Sequence, residues 1–175
     1  MFGNAGGGKS TLARRLAAAT RLPLYVIDMI QYRPGGGEVP HDEYLRIHAE
    51  LLRRDEWIID GFGSVGSAWE RFAVADTLVL VDLPLVTHYL RVTKRLLVGL
   101  FAPPPGWPEN SPLWASSVSS YRVIPKCHRH LTPRYRQLIA ESASSKRVYH
   151  LRSRADFEAC VESVSQSTGG GRDER

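Results

Sequence analysis

Nine residues near the start of the chain restrict its possible folds more than any others: Gly3-Asn4-Ala5-Gly6-Gly7-Gly8-Lys9-Ser10-Thr11. They fit the spacing G-x-x-x-x-G-K-[ST], and a helix-forming run from Leu12 to Ala19 follows directly. The spelling has a physical reason. Backbone N–H groups can converge on a polyphosphate only if the loop turns tightly with no Cβ atoms in the way, which glycine permits. The helix behind the loop adds its own unpaired N–H groups and the positive end of its dipole. In such a phosphate loop the lysine, here Lys9, reaches the β- and γ-phosphates, and the hydroxyl of the next residue, Ser10, holds Mg2+. The glycines do not fall as G-x-G-x-x-G, which argues against a dinucleotide. The expected ligand is therefore ATP with Mg2+, cradled by Gly3, Asn4, Ala5, Gly6, Gly7, Gly8, Lys9, Ser10 and Thr11.

A loop of this kind hangs from a buried strand, yet only Met1 and Phe2 precede Gly3, so the first strand is expected as a truncated stub. Beyond it, apolar runs alternate with amphipathic ones. Leu24-Tyr25-Val26-Ile27 reads as a buried strand closing on Asp28, and Trp57-Ile58-Ile59 as a second closing on Asp60. Thr77-Leu78-Val79-Leu80-Val81 is apolar almost throughout and closes on Asp82; residues 146–151 form the last strand. Helices are expected over 9–20, 41–54, 67–74, 85–100 and 154–164. Alternation of this kind builds an α/β domain, with helices on both faces of a parallel sheet.

Ligands in such sheets bind at the carboxyl ends of strands, so each terminal aspartate is a candidate. Asp28 is expected to face the substrate. Asp60 and Asp82 compete for Mg2+, because an apolar strand ending in Asp has the form of the element that organises the ion and its waters. In the 85–100 helix, Val86, Leu90, Leu97 and Leu100 lie near one stripe, while Arg91 and Arg95, four residues apart, share another face. Those two arginines are expected to contact phosphate. Residues 102–120 show no helical or strand period and read as a lid-like segment spanning about 100–121. The following basic stretch should be helical, bent or interrupted at Pro125 and Pro133.

At 175 residues the chain suits one domain, expected over 1–165, with 166–175 as a disordered tail. A net charge of +5 favours polyanionic ligands without specifying nucleic acid. Two cysteines, Cys127 and Cys160, suggest reduced thiols, and no apolar run reaches membrane-spanning length. With no signal peptide ahead of the loop, the expected location is cytoplasmic, without membrane association.

The pieces FGNAGGGKSTLARRLA, LPLYVID, WIIDG, ADTLVLVDLP and LRVTKR, with a looser VYHLRS, span residues 2 to about 95 and the last strand. Together they resemble the adenylate-kinase-like P-loop kinases known as DNA topology modulation proteins. The resemblance implies a nucleoside monophosphate kinase-like, three-layer α/β/α P-loop NTPase fold. It also implies transfer of the ATP γ-phosphoryl group to a nucleotide or nucleotide-like small acceptor. It suggests Lys9, Asp60, Arg91 and Arg95 as catalytic, with Asp28 and Asp60 flanking the acceptor. Gly63-Ser64 stands where adenylate kinases carry Pro-Arg, so Arg71 is expected to grip substrate phosphate instead. No arginine falls between residues 96 and 121, where such kinases place lid arginines. Two other readings stand beside the kinase: a nucleotide-switched regulatory or nucleic-acid-associated protein, and a non-catalytic P-loop domain.

Overall fold

The computed structural model describes residues 1–33, 37–99 and 113–169. The segment from 100 to 112, most of the expected lid, and the tail residues 170–175 lie outside them, as does Leu100.

Five strands are present among the described residues: β1 (Phe2–Gly3), β2 (Leu24–Val26), β3 (Ile58–Asp60), β4 (Thr77–Val81) and β5 (Arg147–Leu151). All pairings are parallel. β4 lies between β1 and β5, and β2 pairs with β3. The Met1 amine donates to the Ile59 carbonyl at 2.9 Å, linking the two groups of strands. The first strand is as short as expected. It is pinned by Phe2, which packs against Phe72 (centroids 4.5 Å apart) and Tyr135 (5.0 Å).

Alternation along β4 sorts the core into two layers, because successive side chains leave a strand on opposite faces. Leu78 and Leu80 join Phe2, Phe72, Cys127, Tyr135 and Ile139, so α4 (Val65–Val74) and α7 (Thr132–Ser142) cover one face. Val79 and Val81 join Leu12, Leu16, Leu151, Phe157 and Cys160, so α1 (Lys9–Thr20) and α8 (Arg154–Gly169) cover the other. A third cluster of Ile27, Tyr44, Leu51 and Ile59 seats α3 (His41–Leu52) beside β3. The chain is thus an α/β protein with helices against both faces of a small parallel sheet. Cys127 and Cys160 are buried and form no disulfide.

Several boundaries differ from expectation. The strand before Asp28 ends at Val26, and a short helix, α2 (Ile27–Gln31), places Asp28 in its first turn. Ser64 caps α4 reciprocally with Ser67, which starts that helix two residues early. Helix α6 (Leu113–Lys126) occupies part of what read as irregular lid, and α8 extends to Gly169, into the expected tail. Pro125 and Pro133 do not interrupt the helical run. Between α6 and α7 it widens instead into one π-helical turn, Cys127–Leu131, where the Thr132 N–H reaches the Cys127 carbonyl.

Helix α5 (Leu85–Gly99) turns its apolar stripe outward. Its apolar residues Val86 and Leu90 are 66% and 65% exposed, with Leu97 and Val98 also outside. Its inward face carries His88, Arg91, Val92 and Arg95. The helix is turned so that its basic side meets the glycine loop.

Candidate functional site

The glycine loop joins β1 to α1, and its geometry needs glycine in two places for different reasons. Gly6 and Gly8 take positive φ angles, 69° and 88°. A Cβ on Gly6 would also stand 2.7 Å from Val92 Cγ2, and one on Gly8 2.9 Å from an Arg91 nitrogen. The loop is therefore bare because α5 presses on it. Asn4 organises the turn. Its Oδ1 accepts from the Ala5 N–H at 2.8 Å, its carbonyl accepts from Gly7 N–H, and its Nδ2 donates to the Ile124 carbonyl at 2.9 Å. That last bond ties the loop to α6 just before the π-helical turn.

Lys9 opens α1 and curls back, its Nζ donating to the Asn4 carbonyl at 2.7 Å. Burial lowers its pKa, opposed chiefly by the charge of Asp60 and then by Cys127 and Asp28. Ser10 and Thr11 follow; Ser10 is exposed. From α5, His88 Nδ1 lies 2.8 Å from the Ala5 carbonyl, and Arg91 donates to the Gly7 carbonyl while lying over the Phe157 ring. One turn on, Arg95 donates to Ser120 Oγ of α6 at 3.0 Å. Its Nε is buried with no hydrogen-bond partner among the described residues.

The parallel register of β2 and β3 sets Val26 opposite Asp60, which brings the two strand-end carboxylates to one edge. Asp60 is 2% exposed and its Oδ1 has no partner among the described residues. Burial raises the pKa of Asp28, the Asp60 charge raises it further, and Lys9 and Arg95 oppose both. Lys9, Asp28, Asp60 and Arg95 therefore form one electrostatic group beside the loop. A buried carboxylate oxygen without a donor is costly and suits a cation or a hydrogen-bond donor.

Two expected residues are engaged elsewhere. Asp82 receives a two-pronged hydrogen bond from Arg136 (Nε–Oδ2 2.8 Å, a terminal nitrogen to Oδ1 3.0 Å) and lies 2.7 Å from His150 Nε2. Burial disfavours its charge, but these hydrogen bonds outweigh that and hold its pKa below the ordinary value. An open depression of about 480 Å³, lined by Asp82, His128, Arg136 and Arg152 among others, lies on this side. Arg71 is 5% exposed, and its guanidinium donates to the Phe62 and Gly61 carbonyls and to Ser67 Oγ. It braces the turn after β3 rather than presenting a free fork to a substrate.

Sequence reasoning missed Asn4 as the organiser of the loop, His88 as its outer support, and the Asn4–Ile124 tie. Their only signal was position: Asn4 inside the glycine run and His88 one turn into the helix after Asp82.

Compared with known proteins, the chain matches no protein-family model and no curated protein significantly.

Proposed function

We propose that the chain is an ATP-dependent phosphotransferase with a three-layer, nucleoside monophosphate kinase-like P-loop fold. The observation that carries this reading is the juxtaposition of the glycine loop with Lys9, Asp28, Asp60 and Arg95 at the carboxyl edge of the sheet. The loop N–H groups and Lys9 receive the ATP phosphates, and Arg95 neutralises charge on the transferring group. Arg91 acts through the loop, because its guanidinium holds the Gly7 carbonyl. Asp60, with its unpartnered oxygen, and Ser10 fit Mg2+; Asp82, already held by Arg136 and His150, does not. Mg2+ held there would neutralise negative charge on the ATP phosphates.

Lys9→Met tests the reading. Calorimetry should show weakened ATP binding, and transfer of labelled phosphate should be lost while the melting temperature holds. Unchanged ATP affinity and transfer in that variant would remove Lys9 from the site. ATP binding by the native chain with no transfer to any acceptor would favour the non-catalytic domain.

A nucleic-acid-associated role has one observation behind it: residues 83–140 carry eight Lys and Arg against a single acid, Glu109. Affinity for DNA that vanishes with rising salt irrespective of sequence would reduce this to plain electrostatics.

A further inference from the structure

On the phosphotransferase reading, we infer that the acceptor is a small hydroxyl-bearing molecule without a phosphate, and that Asp28 receives its O–H. The inference comes from following where every nearby cation points.

A phosphorylated acceptor brings between one and two negative charges, and proteins hold such groups with arginine forks or several N–H donors. Lys9 and Arg95 oppose the charge of Asp28, and ATP already requires them; the Met1 amine, in the field of Asp60, is spent on the Ile59 carbonyl. Two other arginines of the region are occupied. Arg71 is bound to the Phe62 and Gly61 carbonyls, and Arg91 to the Gly7 carbonyl. Arg33 is exposed and lies 3.4 Å from Glu43. Between residues 96 and 121 the sequence contains neither Arg nor Lys, so this connection brings no further cation.

What the acceptor side offers is carboxylate. Asp28 stands against Gly61, where an added Cβ would be 3.4 Å from its Oδ1. Asp60 is buried with an oxygen unpaired among the described residues, and Arg95 Nε is buried and likewise unpaired. The Asp28 carboxylate repels an incoming phosphate, whereas a hydroxyl can donate to it. Met29 of α2, Phe62 after β3 and Val65 at the start of α4 are also exposed.

The step balances without another reactant. The acceptor oxygen forms a bond to the γ-phosphorus, and the bond from that phosphorus to the β,γ-bridging oxygen breaks. ADP leaves with the electron pair, and the hydroxyl proton passes to Asp28.

The test uses the full chain saturated with Mg2+ and a non-hydrolysable ATP analogue, titrated with AMP and CMP by calorimetry. The native chain should bind neither below millimolar concentrations, and Asp28→Asn should bind AMP at least tenfold more tightly. In parallel, labelled ATP is offered with glycerol, ribose, inositol, choline and adenosine, and separately with nucleoside monophosphates. Label should appear on a hydroxyl compound only, and Asp28→Asn should reduce that transfer at least a hundredfold with analogue affinity unchanged. Micromolar AMP binding by the native chain, or transfer to a monophosphate, overturns the acceptor assignment. If the analogue binds but no labelled product forms in the screen, the acceptor assignment is overturned in favour of the non-catalytic domain. Failure of the analogue to bind would instead sink the phosphotransferase reading, so the two failures are told apart.

Discussion

Asp60 and Asp82 end the two strands next to the glycine loop in almost the same sequence dress, an apolar run closing on Asp. Their surroundings are opposite. Asp60 has a buried oxygen with no partner among the described residues and sits in the field of Lys9. Asp82 is satisfied from two directions, by Arg136 of α7 and His150 of β5. The difference teaches that a strand-end carboxylate is defined by what its neighbours leave unpaired. An acid with its charge already paired stabilises the fold, whereas one left without a donor is available for chemistry.

The comparison breaks most visibly at Asp60. Asp60→Asn should lower phosphoryl transfer by about 10²–10³-fold, roughly 2.7–4 kcal/mol of barrier, with the melting temperature held or raised. A variant that keeps full turnover would return the metal role to Asp82.

Asp82→Ala should show the converse. It leaves Arg136 and His150 without their acceptor, and we expect a loss of about 1–3 kcal/mol in urea unfolding. The KM for ATP should stay put. Half of the Arg136 side chain faces solvent (53%), so Arg136→Gln should cost less, about 0.2–1 kcal/mol. Equal losses in the two variants would mean that His150 contributes nothing to holding Asp82.

The smallest effect sharpens the contrast through pH. The folded pKa of Asp82 lies below its ordinary value near 3.8, so its contribution to stability is present above that value. It is lost as the pH falls through the lower, folded pKa, and Asp82→Asn should flatten the acid limb of the stability curve. Asp28 has the opposite sign. Its folded pKa is raised, so the folded state binds the proton more tightly, and stability is lost as the pH rises from about 3.8 through the folded value. Asp28→Asn should therefore make the chain more stable at neutral pH. A decrease there would show that the carboxylate is held by bonds that outweigh its burial.

Much of the architecture was legible. The loop spacing, the apolar strands leading to Asp60 and Asp82, and the parallel α/β arrangement follow from local pattern, because strand burial and glycine conformation are properties of short stretches. Element ends were less so. The helix at Ile27–Gln31 and the start of α6 at Leu113 lack a strong period, and Ser64 capping Val65–Val74 depends on a hydroxyl finding one N–H group.

The roles of the charged residues were decided only by the tertiary structure. Arg71 and Arg136 look alike as exposed helical arginines, yet one is buried on the carbonyls of Gly61 and Phe62 and the other holds Asp82, 54 residues away in the chain. Helix α5 makes the same point. Its period marked an apolar stripe at Val86, Leu90 and Leu97 and a basic one at Arg91 and Arg95, but a helical period says only that two faces differ. Which face turns inward depends on what awaits it. Here the carbonyls of Ala5 and Gly7 needed donors, and His88 and Arg91 supplied them. The sequence by itself determined that a glycine loop and three acids would follow the apolar strands of a parallel α/β fold. Which acid remained unpaired was set by long-range hydrogen bonds, whose partners no local pattern names.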